Sequence, residues 1–227
     1  MLVEPEPDAE RLALDRAVVE AVRARLAAGA RSSPDADAIA LRETLAGLTA
    51  AEAAAARAVL GRIDAASGAP LVVWGAASQV LAADRFGLTA RTAAEPEQAL
   101  AAVRDGARAL MDLTPAKAWW GRLLAEPALR IVAALPDDRT AAPRALMVQQ
   151  TEPGPTGDDR TFWATDSQAS DARIVEALSA QGLAATPLIS AGGLKLFILA
   201  GYVQAEDGRL ANAPGQLSGV IGAAPIY

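Results

Sequence analysis

Apolar residues recur at two spacings along the chain, and the change falls near residue 70. Upstream, Leu14, Val18, Val22 and Leu26 recur at every fourth position with Val19 beside them. That spacing predicts one apolar stripe on an amphipathic helix, with Asp8 as its N-cap. Gly29 and the run Arg31-Ser32-Ser33-Pro34 end it. A second helix is predicted over 35–46, with Leu41 and Leu45 inward and Gly47 as its stop. Thr49 and, three positions on, Glu52 have the form of a capping box. The third helix that follows runs to 66, with Ala56, Val59, Leu60 and Ile63 on one face. That face is mostly alanine. At ~25 cal/mol per Å2 of buried apolar surface it holds too little area to be stable alone. It is expected to pack on the rest of the molecule or on a second chain.

Beyond Pro70 the pattern becomes short apolar runs. Leu71-Val72-Val73-Trp74 reads as a buried strand, Gly75 turns it into a helix over 77–86, and 88–92 reads as a second strand. Pro96 stands at a first-turn position of a helix that ends at Asp105-Gly106, and 107–113 is a third strand. This β-α-β-α-β alternation predicts a small parallel sheet. Pro115 opens a segment with Trp119-Trp120 that is expected to be helical, followed by strands over 129–135 and 145–150. The Gly, Pro and Asp content of 151–160 predicts a loop. After it come a strand over 161–165, a helix over 170–181, a hairpin of 184–190 and 194–203 around Gly192-Gly193, and a last strand over 220–226. That order, β-α-β-β-β or, with a second helix before the last strand, β-α-β-β-α-β, is ferredoxin-like. The expected class is α+β with an α/β part, in three pieces: helical 1–68, α/β 69–150 and ferredoxin-type 151–227.

Composition narrows the chemistry. The 227 residues are 52% hydrophobic and 21% charged, enough apolar material for packed cores, but only 4% are aromatic. The cores are therefore expected to be thin and built from Ala, Leu and Val. The net charge of −6 and the lack of a basic stripe point away from nucleic acid. There is no Cys and no His. Their absence removes disulfides, thiol nucleophiles, a His general base, a Ser-His-Asp triad and His-ligated metals. No cofactor and no metal is expected. No apolar run approaches the ~18 residues of a membrane span, and residues 1–10 are acidic where a signal peptide needs cations. A cytoplasmic protein without membrane contact is expected.

Several ordered motifs resemble the fused chorismate mutase–prephenate dehydratase proteins that end in an ACT domain, and in particular a shortened alphaproteobacterial branch labelled chorismate mutase. Val73-Trp74-Gly75, Ala82-Ala83 and Phe86-Gly87 are similar to the first strand and helix of the dehydratase domain. Ala102-Val103 with Gly106, then 110–115, are similar to a later stretch of it. Trp119-Trp120 with Leu123-Leu124, then Ala133-Ala134-Leu135-Pro136 and Gly157-Asp158-Asp159-Arg160, resemble the short branch. Val220-Ile221-Gly222 with Pro225 is similar to the end of an ACT domain. The likeness spans most of the chain and lies in the order of motifs rather than in any one of them. It implies a chorismate mutase-like helical segment, a truncated dehydratase-like unit and an ACT-like unit.

The resemblance implies a rearrangement of chorismate to prephenate, a pericyclic step that needs no base, nucleophile or metal. Such catalysis is positioning plus cations that clamp two carboxylates. Carried over position by position, Arg25 (with Arg23 as a rival) matches the clamp's late-helix arginine. Arg42-Glu43 matches its Arg-Glu pair, and Arg31 stands nearest the place of its lysine. Asp8 and Leu71 occupy two other clamp positions without matching them, and Arg11 lies out of phase. The dehydratase's Glu-Asn-Ser is replaced by Ala116-Lys117-Ala118, so dehydration is not implied. Trp119 and Trp120 are candidates for an aromatic ligand wall, with a core plug as the alternative. Arg160, after Asp158-Asp159, is a candidate anion contact, with a solvated turn as the alternative. Two functions stay open: a weak chorismate mutase of aromatic amino acid biosynthesis, or a non-catalytic ligand sensor or protein-binding regulator derived from it. Either is expected to act on a small anionic metabolite of that pathway and to form a homodimer.

Overall fold

The protein is described by a computed structural model covering residues 8–28, 33–114, 117–139 and 141–227. Three helices come first: α1 (Ala9–Ala28), α2 (Pro34–Leu45) and α3 (Ala50–Ser67). Asp8 caps α1 by accepting the Glu10 and Arg11 N–H groups at 3.0 and 3.2 Å. Thr49 and Glu52 form the reciprocal capping box at the start of α3. The stripe on α1 meets little protein. The helix buries no residue, and Leu14 and Val18 are 65% and 52% exposed.

Next come β1 (Leu71–Trp74), α4 (Ala76–Phe86), β2 (Arg91–Thr92), α5 (Pro96–Arg104) and β3 (Arg108–Asp112). β1 pairs in parallel with both β2 and β3. A 3-10 helix, Trp119–Leu124, leads to β4 (Arg130–Leu135) and β5 (Ala145–Gln149). Then follow β6 (Asp159–Thr165), α6 (Asp171–Ala180), β7 (Ala185–Ala191), β8 (Leu194–Ala200) and β9 (Ser218–Pro225). The expected strand at 88–92 shrinks to Arg91–Thr92, because Leu88 lies out in solvent at 91% exposure.

Among the described residues the nine strands form one mixed sheet, in the order β2-β1-β3-β5-β4-β9-β6-β8-β7. The parallel strands are one end of it, and the C-terminal strands, ordered β9-β6-β8-β7, are the other. Between β8 and β9 stands only a short 3-10 turn, Gly208–Leu210, rather than a second α-helix. The seam is the parallel pairing of β4 with β9, at Ile131 opposite Gly222. Among the described residues no helix is long and apolar enough to cross a membrane.

Alternation along the strands sorts side chains onto two faces. On one face Val72, Trp74, Ala109 and Met111 pack with Leu100 and Val103 of α5 and with Trp119, Trp120 and Leu123. This core continues across the sheet to Phe162, Leu196 and Ile221. On the other face Leu71, Val73, Leu110, Val132 and Met147 pack under Ala82 and Phe86 of α4. At the far end of that second face, Trp163, Phe197 and Leu199 pack under Ile174 and Leu178 of α6. Between α4 and α6 the middle of the second face, on β4 and β5, is left for the N-terminal helices to roof.

Candidate functional site

The roofed middle of the sheet holds a cavity of about 370 Å3, within the size range of small-molecule sites. Its floor is Val132, Ala133 and Leu135 of β4 and Met147 and Gln149 of β5. α2 forms the roof, Leu60, Gly61 and Asp64 of α3 with Arg85 and Phe86 of α4 form one wall, and Pro225 and Tyr227 close the other side. Phe86 is bracketed by cations: the Arg85 and Arg108 guanidinium carbons lie 5.9 and 5.5 Å from its ring centre.

Three arginines and three aspartates line this cavity: Arg25, Arg85 and Arg108, and Asp37, Asp64 and Asp137. Arg25 and Asp37 pair at 3.8 Å on the exposed rim. Deeper in, Arg85 shares Asp137 with Arg57, at 3.5 and 3.7 Å. Both distances exceed the ~2.7–2.9 Å of a charge-assisted hydrogen bond. Burial lowers the Arg85 guanidinium from its ordinary value, and Asp137 opposes that shift. Arg108 is 6% exposed and donates to Asp64 through its two terminal nitrogens. Its Nε is buried without an acceptor. Burial, with Asp137 next, pushes the Tyr227 phenol up, so it stays protonated. Across the Arg85–Asp137 pair lies a second cavity of about 170 Å3, whose lining includes Arg57, Asp84 and Asp138.

The residues proposed from sequence fall in different places. Arg25 lines the cavity. Arg42 does not; its guanidinium donates to the Thr156, Asp158 and Ile226 carbonyls and to the Thr156 hydroxyl, and lies 6.0 Å from the Tyr227 ring centre. Glu43 is exposed, and Arg31 lies outside the described residues. The described clamp positions therefore do not converge on one cavity. Trp119 and Trp120, 3% and 0% exposed, pack edge to face in the core, and Trp119 Nε1 donates to the Asp112 carbonyl at 2.8 Å. Arg160 is buried in β6 and donates to the Asp138 carbonyl at 2.7 Å. Among the described residues no cluster of three or more His, Cys, Asp or Glu side chains could hold a metal.

Arg85, Arg108, Asp64 and Tyr227 were not singled out from sequence. One of them carries a legible signal: Arg108 is a single cation inside the apolar run 107–111. A charge in a buried strand needs a local reason.

No family model and no curated protein matches the chain. Among solved structures it is similar to one described as GqqA, a novel type of quorum quenching acylase, at 18% identity and a TM-score of 0.45, over 69% of this chain and 95% of that one. It is also similar to the prephenate dehydratase of Arthrobacter aurescens solved with L-Phe, at 13% identity and a TM-score of 0.41, over 68% and 89%. Both likenesses are remote.

Proposed function

We propose that this protein is a ligand-sensing, non-catalytic relative of the chorismate mutase–prephenate dehydratase fusions, and that it binds a small anionic metabolite in the cavity beneath α2. The observation that carries this reading is the lining itself: Arg85 and the buried Arg108 stand beside Phe86 and Tyr227 on the wall of one cavity, cations next to rings. A cation beside an aromatic ring is a fitting contact for an anionic, ring-bearing ligand. Phe86 and Tyr227 add aromatic side chains to the lining. The order β9-β6-β8-β7 supports the ACT-type reading of the C-terminal unit, and the motif order supports the aromatic pathway as the ligand's source.

The test is thermal unfolding with chorismate, prephenate or an aromatic amino acid, beside an assay of chorismate disappearance. Ligand at 100 times Kd stabilises by about 2.7 kcal/mol, or ~5–10 °C in a chain of this size. We expect such a shift without turnover, lost in Arg108→Met and flat from pH 6 to 8, since no His or Cys titrates there. No shift with any of these carboxylates sinks the proposal. A second reading, weak mutase activity, is favoured by Arg25 lining the cavity. It requires turnover that falls ~10²-fold in Arg25→Ala.

Self-association belongs to the same proposal. Leu14, Val18 and Val19 of α1 are exposed side by side, and symmetric dimers are the commonest way to cover such a stripe. Light scattering at micromolar concentration is expected to give twice the chain mass. Because α1 buries no residue, Leu14→Glu with Val18→Glu should return the monomer without unfolding it. A monomer in the unmodified protein contradicts the dimer.

A further inference from the structure

We propose that α2 is a lid on the cavity and that Arg42 is its latch. The inference rests on the reading of that cavity as a ligand site, and it assigns Arg42 a task in ligand entry.

The roof is made by one helix. Pro34, Asp37, Ala38, Leu41 and Thr44 line the cavity, at the three- and four-residue spacings of a single helical face. α2 is thinly anchored by apolar contact. Ala38 is its one buried residue, and Ile39 is 43% exposed. Its rim ion pair, Asp37 with Arg25 at 3.8 Å, joins two half-exposed side chains and contributes little.

Arg42 supplies what apolar packing does not. Its Nη1 donates to the Thr156 carbonyl at 2.5 Å. Its Nη2 donates to the Thr156 hydroxyl at 3.0 Å and to the Asp158 and Ile226 carbonyls, each at 3.1 Å. Nε reaches the Ile226 carbonyl at 3.3 Å. A planar guanidinium can meet such a divided set of acceptors, and an ammonium cannot.

The catch that receives the latch is fixed independently of α2. The Asp159 carboxylate holds the Thr156 N–H at 2.8 Å and its hydroxyl at 2.6 Å. Ile226 N–H donates to the Asp158 carbonyl and Tyr227 N–H to the Asp137 carbonyl, both at 2.9 Å. The catch therefore belongs to the sheet, while the latch belongs to the roof. At the C-terminal end of α2, Gly47 takes φ +82° with nothing within 4 Å of where a Cβ would stand, which leaves room for a hinge. Release of Arg42 removes the five hydrogen bonds that tie α2 to the catch, and of the α2 side chains only Ala38 is then left fully buried.

The test uses the absence of cysteine. A Cβ on Gly154 would stand 3.4 Å from the Asp35 Cβ, close to the ~3.8 Å of a disulfide. Asp35→Cys with Gly154→Cys can therefore bolt the roof to the catch in a chain with no other thiol. The probe is 8-anilinonaphthalene-1-sulfonate, an aromatic anion, followed by stopped-flow fluorescence. Leu14→Glu and Val18→Glu are present to remove the α1 stripe as a competing site. The oxidised pair is expected to take up probe at least ~10-fold more slowly than the reduced pair. Arg42→Ala and Arg42→Lys, in the background without the cysteine pair, are expected to take it up faster than the parent. Hydrogen exchange in those two variants should accelerate over 34–45 and stay unchanged over 96–104. Equal uptake by oxidised and reduced protein, or unchanged exchange over 34–45, overturns the lid and leaves the cavity as a ligand site. No probe bound by either form overturns the ligand site itself, and the lid with it.

Discussion

Gly222→Ala is expected to cost about 4 kcal/mol, which in a chain of this length lowers Tm by ~8–16 °C. Gly222 sits where the two halves of the sheet meet, opposite Ile131 of β4 and next to an irregularity in its pairing with β6. Its φ is +143°, a region that L side chains rarely adopt. A Cβ there would stand 2.3 Å from the Ile131 carbonyl oxygen, 2.4 Å from its nitrogen and 2.8 Å from its Cα. All three are backbone atoms, so no rotamer change relieves the clash. Backbone strain of ~1–3 kcal/mol and overpacking of ~1–3 kcal/mol act at the same point. The sum is a large part of a typical domain's 5–15 kcal/mol. Urea unfolding checks it. A midpoint within error of the unmodified protein would mean that β4 and β9 are not held together as described. A two-step transition would mean that the halves unfold separately once the seam is lost.

The elements were largely legible in the sequence because their determinants are local. Pro96 starts α5 and Asp105 caps it, and the change from helical spacing to apolar runs at Pro70 marks the entry into the sheet. The joining of all strands into one sheet was not legible. The seam is made where Gly222, at φ +143°, stands opposite Ile131, a backbone conformation that no apolar pattern encodes. The site was less legible than the fold for a related reason. By sequence Arg42 matches a substrate-clamp arginine, yet its acceptors at Thr156 and Ile226 lie 114 and 184 residues away. Arg85 and Asp137 meet only when α4 lies beside the end of β4. Trp119 and Trp120 look like a ligand wall in a chain poor in aromatics, and for the same reason they are the bulk that fills its thin core.

Gly61→Ala reverses the usual sign of its class and reads the cavity at the same time. In an exposed helix interior, glycine to alanine is stabilising by ~0.8–1 kcal/mol. Gly61 lies inside α3 and is buried where that helix crosses α4. A Cβ there would stand 2.0 Å from the Arg85 carbonyl oxygen and 3.3 Å from its Nη1. The carbonyl is part of the α4 backbone, so the two helices must move apart. We expect a net loss of up to about 2 kcal/mol, overpacking of ~1–3 kcal/mol less the ~0.8–1 kcal/mol propensity gain. Parting the helices also draws Leu60 and Asp64 of α3 away from Arg85 and Phe86, all of which line the cavity. It stretches the hydrogen bond from Arg85 Nη1 to the Arg57 carbonyl as well. Ligand affinity should therefore fall together with stability. Gly208→Ala is the control. No atom lies within 4 Å of where its Cβ would stand, so it should change stability by no more than ~0.5 kcal/mol and leave binding alone. A Gly61→Ala variant more stable than the parent would show that α3 does not press on α4. The wall of the proposed site would then have to be redrawn without it.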